Sequence, residues 1–131
     1  MIEMGIDDLA LDQLQGKSCK SETIVEDPVT GGKKGRKPEV ASLIPLDSVL
    51  EIGTVYEYGS RKYSSHNWRR GYPWSWSFDA LVRHLFAWWS GEDKDPESGL
   101  SHLAHAGFHV LSLMWYQRNG RGTDDRWKEG S

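Results

Sequence analysis

The sequence predicts an all-α fold: a small helical bundle of three firm helices, over about 45–59, 77–90 and 97–118, completed by oligomerisation. Three observations predict it. Apolar residues recur at helical spacing in those windows, and no strand-like alternation runs longer than four or five residues. Helix start and stop residues bracket the windows: Pro45 and Gly59, Ser75 or Ser77 and Gly91, and Asp95-Pro96. The chain has 131 residues, 37% of them hydrophobic, which suits one domain with a modest core. Three helices with one polar seam bury little, so a second copy of the chain is expected to complete the seam.

Bulk properties exclude several functions. A net charge of −3 gives no global pull toward nucleic acid or a membrane surface, and no sequence-specific nucleic-acid partner is expected. One cysteine, Cys19, rules out an internal disulfide and a Cys-based zinc cluster and fits a reducing cytoplasm. No apolar run is long enough to span a membrane, and the N-terminus lacks a signal-peptide pattern. Five of the seven tryptophans fall in 68–89, so the core is expected to form locally around aromatic rings.

In chain order, residues 1–31 read as a flexible or partner-docked segment, with Ile6, Leu9, Leu11 and Leu14 spaced for a short amphipathic helix. Residues 28–40 place Lys33, Lys34, Arg36 and Lys37 among three glycines. That composition suits a loop closing on a phosphate, or equally a solvated linker; the Gly-Lys-Ser/Thr of a Walker loop is missing. In 45–59, Leu46, Val49, Leu50 and Gly53 form one face, widened by Ile52, Val55 and Tyr56, with Glu51 near the apolar seam. Residues 60–76 make a basic, aromatic connection. Its rings (Tyr63, Trp68, Tyr72, Trp74) suit either stacking on a base or capping a helical core. In 77–90, Phe78, Leu81, Val82, Leu85 and Trp88 keep helical spacing; Asp79 pairs with Arg83 four residues on, and His84 lies at the edge of the apolar face.

Residues 91–109 are the densest in chemistry. Glu92, Asp93, Asp95 and Glu97 fall within six residues, followed by His102, His105 and His109. Carboxylates and imidazoles gathered this tightly suit a metal or a proton-transfer site. Asp95-Pro96-Glu97 also reads as a helix start, whereas Glu92 and Asp93 have no such structural explanation. The helix over 97–118 is expected to bury Leu100, Leu103, Ala104, Gly107, Leu111 and Met114, with the histidines, Ser112 and Tyr116 in a row beside that face. Residues 119–131 read as a polar, frayed tail.

Four segments carry a resemblance: G-K-K-G-R-K-P, L-D-S-V-L-E-I-G-T-V-Y-E-Y-G-S-R-K-Y, H-N-W-R-R-G and R-H-L-F-A-W-W-S-G-E-D-K-D-P-E-S-G-L-S-H-L-A-H-A. Over 32–118 the chain resembles the phage dATP/dGTP diphosphohydrolase N-terminal family, and through it the MazG-like nucleotide pyrophosphohydrolases. The resemblance implies an all-α nucleotide-hydrolase-like domain that cleaves a deoxypurine nucleoside triphosphate (dGTP or dATP) to monophosphate and pyrophosphate. It further implies dependence on Mg²⁺ or Mn²⁺, assembly into a homo-oligomer, and action in the cytoplasm of an infected host. The wider class binds metal through E-x-x-E and E-x-x-D helices; here E-D-K-D stands at 92–95 and there is no E-x-x-E.

Under that reading Glu92, Asp93, Asp95, His105 and His84 are the expected metal ligands, and Glu51, His102 and Asp79 the expected catalytic groups. Lys33, Lys37, Arg61, Lys62 and Arg83 would neutralise phosphates, and Tyr63 and Trp68 would stack on the purine. Two other readings use the same residues: a non-catalytic phage protein that binds or sequesters a nucleotide, and a helical partner-binding module.

Overall fold

A computed structural model describes residues 22–130, in two compact units that divide between Pro45 and Leu46. The expected helix around Ile6–Leu14, and Cys19, lie outside the described residues.

The first unit corrects the all-α expectation. Strands β1 (Thr23–Glu26) and β2 (Lys33–Arg36) pair antiparallel, with Thr23 opposite Arg36 and Glu26 opposite Lys33. The β-branched run Thr23-Ile24-Val25 favours extended backbone. The turn is built by Asp27, whose carboxylate accepts the N–H groups of Val29 (2.7 Å) and Thr30 (3.0 Å), and by Gly31 at φ +77°. Strands of four residues are too short for their alternation to stand out in sequence. A single 3₁₀ turn, Ala41–Leu43, follows.

The second unit holds the three expected helices: α1 (Leu46–Lys62), α2 (Trp74–Trp89) and α3 (His102–Asn119). Helix α3 packs against both of the others. Gly107 on α3 makes the α1 contact possible, because a Cβ there would lie 2.8 Å from Ile52 Cγ1.

Boundaries differ from expectation for local reasons. Helix α1 runs through Gly59 to Lys62, held by the i, i+4 pair of Glu57 and Arg61 (2.8 Å). Helix α2 starts at Trp74 after Pro73, so Ser75 and Ser77 lie inside it; Asp125 accepts from the N–H of Ser75 (2.9 Å) and does the work of a cap. Helix α3 starts five residues later than expected, because 95–100 closes a turn of its own. Gly99 sits at φ +73°, Asp95 N–H donates to Leu100 O (2.8 Å), and Lys94 bridges antiparallel to Ser101. Ser101 then caps α3, accepting from Leu103 N–H (3.1 Å) and Ala104 N–H (3.3 Å).

The buried face of α3 is not the one its leucines predict. His102, Ala104, His105, Ala106, Ser112 and Tyr116 are buried, while Leu103, Leu111 and Met114 are 44%, 41% and 50% exposed. A polar row can be buried when each group finds a partner. Tyr116 is fully buried and donates to Trp68 O (2.6 Å); Ser112 Oγ and Tyr56 OH lie 2.9 Å apart. Among the described residues no buried side-chain nitrogen or oxygen lacks a partner. Phe86 and Trp89 on α2 remain exposed with the α3 leucines, leaving an uncovered apolar surface on the single chain.

The tail is not frayed. Trp74 N–H donates to Thr123 O (3.0 Å), Thr123 N–H to Tyr72 O (3.3 Å) and Trp74 Nε1 to Arg121 O (2.9 Å). Gly122, at φ +71°, passes so close to Tyr72 O that no Cβ fits.

Tyr116→Phe should remove the shorter of two hydrogen bonds to the Trp68 carbonyl, which also accepts from Gly71 N–H (3.2 Å), and lower unfolding free energy by about 0.5–1.5 kcal/mol. Urea denaturation followed by circular dichroism measures it; an unchanged midpoint would show that water replaces the phenol.

Candidate metal centre

Three pieces of the second unit deliver the site. Helix α2 brings His84, the turn 92–101 brings Glu92, Asp95 and Ser98, and the first turns of α3 bring His102, His105 and His109. The turn is what places the carboxylates: Gly99 and Ser101 fold Asp95 back to the start of α3, and His102 N–H donates to Asp93 O (2.9 Å).

His84 Nδ1 and His102 Nδ1 lie 2.9 Å apart. The other nitrogen of His102, Nε2, lies 2.7 Å from Glu92 Oε1. A neutral imidazole that donates Nε2–H to that carboxylate keeps its Nδ1 lone pair on the side of His84. Ser98 donates its hydroxyl to Asp95 Oδ2 (3.0 Å) and lies 2.7 Å from His105 Nε2, so Asp95 and His105 are joined through one hydroxyl. The rings of His84 and His105 stack, with centroids 4.4 Å apart and planes within 6°. One donor atom each from His84, Asp95 and His102 falls within 4.8 Å of the other two.

Burial and mutual repulsion favour the neutral form of three of these imidazoles. Burial, then the neighbouring His105 and His102, push His84 down to about 4 against the pull of Asp95. Burial, then His84 and His105, push His109 down to about 4 as well. Burial also lowers His105, opposed by Asp95. For Asp95 partial burial pushes upward, yet the Ser98 N–H and hydroxyl, then His105 and His84, bring it below the ordinary carboxylate range. The neutral form is therefore favoured for His84, His105 and His109, and the anion for Asp95. That is the protonation state a divalent cation requires of its ligands.

The cluster lines a hollow of about 540 Å³ shared with Tyr58, Lys62, Arg83 and Glu97. A second hollow of about 710 Å³ opens beside it; Gly59, Tyr63, Phe108 and His109 belong to both.

The expected residues divide as follows. His84, Asp95, His102, His105, Lys62, Tyr63 and Arg83 line the first hollow. Trp68 lines the second, with Tyr63. Glu92 reaches the cluster as the hydrogen-bond partner of His102, and Asp93 contributes its backbone carbonyl with its side chain exposed. Glu51 and Asp79 are exposed and line neither hollow; no ion pair joins Asp79 to Arg83 among the described residues, so that expected pair is corrected. Arg61 pairs with Glu57 instead of facing either hollow. Lys33 and Lys37 belong to the first unit, where Lys33 Nζ lies 3.9 Å from Glu26.

Ser98 and Ser77 carry roles that residue type alone did not suggest. Ser77 is fully buried and lies 3.0 Å from His109 Nδ1 and 2.6 Å from Tyr72 OH. The one legible signal was a serine on the apolar stripe of a helix, which costs stability unless it has partners.

The family model for the N-terminal part of dATP/dGTP diphosphohydrolases matches residues 28–126. A Salmonella phage PMBT28 protein named dATP/dGTP diphosphohydrolase is 33% identical over 98 residues, covering 75% of this chain and 33% of the relative. The match thus spans about a third of that relative's length. No solved structure matches the chain.

The lowered histidines set a pH dependence. Unfolding restores His84 and His109 to about 6.5, so between 6.5 and 4 the unfolded chain binds more protons than the folded one. Stability is therefore fully present above 6.5 and falls as pH drops toward 4. In chelator, the melting temperature should drop across that window, and less steeply for His109→Gln; equal slopes for the two proteins would contradict the assignment.

Proposed function

The chain belongs to the dATP/dGTP diphosphohydrolase N-terminal family, and from that premise we propose metal-dependent hydrolysis of a deoxypurine nucleoside triphosphate to monophosphate and pyrophosphate. The observation that carries this reading is the line Glu92–His102–His84, with Asp95 beside it. A carboxylate that accepts from the far nitrogen of a histidine fixes its tautomer and ring orientation, as metal-binding histidines require.

His84, His102 and Asp95 would hold the ion. Two imidazole nitrogens and one carboxylate suit Mn²⁺ better than Mg²⁺, which prefers oxygen donors. When bound, such an ion polarises phosphate oxygens and lowers the pKa of water. Lys62 and Arg83, on the wall of the same hollow, neutralise the triphosphate. Ser98 accepts Nε2–H from His105 and leaves Nδ1 of that ring to take the proton of the attacking water. The water oxygen bonds to the α-phosphorus as the bond from that phosphorus to the bridging oxygen breaks, and pyrophosphate leaves. Glu51 and Asp79 take no part in this scheme. A second copy of the chain covering the exposed leucines of α3 completes the assembly in this reading.

A second reading, nucleotide binding without hydrolysis, is favoured by the extent of the match, one third of the named enzyme. Pyrophosphate release from dATP and dGTP, with Mn²⁺, Mg²⁺ or chelator, separates them. Mn²⁺ should support release, and His84→Ala or His102→Ala should cut it about 100-fold. Glu92→Gln should weaken Mn²⁺ binding by about 10–100-fold, with the rate recovering at high Mn²⁺. Nucleotide recovered intact under every condition would leave only the binding role.

A further inference from the structure

The second hollow has a different chemistry from the first. About 710 Å³ in volume, it falls in the range of pockets that take a small organic ligand. Six rings line it: Tyr56, Tyr63, Trp68, Tyr72, Trp76 and Phe108. Most are engaged with one another. Trp68 meets Tyr56 edge-on with centroids 5.4 Å apart, and Tyr56 lies 4.5 Å from Phe108. Two of these rings are also open to solvent. Tyr63 is 66% exposed and Trp76 63% exposed. Trp76 stacks on Tyr72 with planes within 19°, so it extends an aromatic stack into the open.

Polar groups gather at one side of this cleft. His66 lines it from a left-handed backbone, φ +63°, which is a costly conformation for a non-glycine residue. Its Nδ1 accepts from Arg69 Nε (3.3 Å), which leaves Nε2–H as a donor in the neutral ring. Asn67, next in the chain, adds a carboxamide with both donor and acceptor. Aromatic faces with a few donors and acceptors are what a flat heteroaromatic ring with polar edges requires.

We propose that this cleft binds the purine base of a nucleotide, stacked on Trp76 and Tyr63 with its edge read by Asn67 and His66. The continuity of the two hollows argues for a nucleotide over a simpler aromatic ligand. Gly59, Tyr63, Phe108 and His109 form walls of both, so a base in the aromatic cleft can send its phosphates to Lys62, Arg83 and the histidine cluster. Stacking on two open rings rewards the larger bicyclic base over a pyrimidine.

The inference rests on the nucleotide reading given above but is tested without metal or hydrolysis, so the two fail separately. The whole chain in chelator is titrated with dAMP, dGMP, dCMP and dTMP while tryptophan emission is recorded. The purine monophosphates should quench emission and the pyrimidines should bind at least about tenfold more weakly. Trp76→Ala and Tyr63→Ala should each weaken purine binding about tenfold, and since both side chains are exposed the melting temperature should hold. Asn67→Leu should weaken it to a similar extent, about tenfold. Purine binding without hydrolysis under any condition would support the cleft and remove the hydrolysis reading. The inference is overturned if neither purine monophosphate quenches, if pyrimidines bind equally well, or if a chain that hydrolyses dATP and dGTP keeps its KM in Trp76→Ala and Tyr63→Ala.

Discussion

Burying a row of polar side chains along one helix constrains the helical unit more than any other feature. An imidazole, hydroxyl or phenol taken out of water without a partner costs on the order of 1–3 kcal/mol. Helix α3 buries His102, His105, Ser112 and Tyr116. Each must be met from outside the helix. The Trp68 carbonyl, the Tyr56 phenol, the Ser98 hydroxyl and the Glu92 carboxylate do this, and they come from three different segments. The connection 60–76 and the turn 92–101 are thus shaped by what α3 needs hydrogen-bonded. Leucine packing follows from that arrangement, which is why Leu103, Leu111 and Met114 are left near solvent.

This explains how far the sequence could be read. Three helices were legible because their apolar spacing and punctuation are strong. The histidine–carboxylate cluster was legible from local density, and the row His102, His105, His109, Ser112, Tyr116 could be drawn directly from the spacing. Which face of α3 turns inward was not legible, since hydropathy favours leucine over histidine whereas the protein satisfies the polar row with distant partners such as Tyr56 and Trp68. The start of α3 was misplaced because Asp95-Pro96 has the pattern of a cap; the positive φ of Gly99 makes it a turn instead. The hairpin at Thr23–Arg36 was too short to show a period, and the docking of residues 121–126 joins groups far apart in the chain, such as Asp125 with Ser75 and Arg121 with Trp74, that no local pattern reveals.

Under the proposed reading, the two hollows divide the demands of a nucleotide. One gathers imidazoles, the Asp95 carboxylate and the side chains of Lys62 and Arg83. The other offers aromatic faces and a few edge groups. His109 stands on the shared wall and is tied through Ser77 to Tyr72, so one hydrogen-bonded line touches both.

The turn at 94–101 gives the cluster an uneven ancestry in the chain. Glu92, Asp95, Ser98, His102 and His105 arrive within fourteen consecutive residues, locked by one β-bridge and one cap. Only His84 is brought by another helix. An ion held by His84, His102 and Asp95 would act as a cross-link between α2 and the base of α3. By linkage, cation affinity then becomes a gauge of how firmly α2 is docked: whatever loosens that packing weakens the ion, and whatever removes the ion loosens the packing by the same free energy. Substitutions far from the cluster, along the α2–α3 contact, would then bear on cation binding as much as the proposed ligands do.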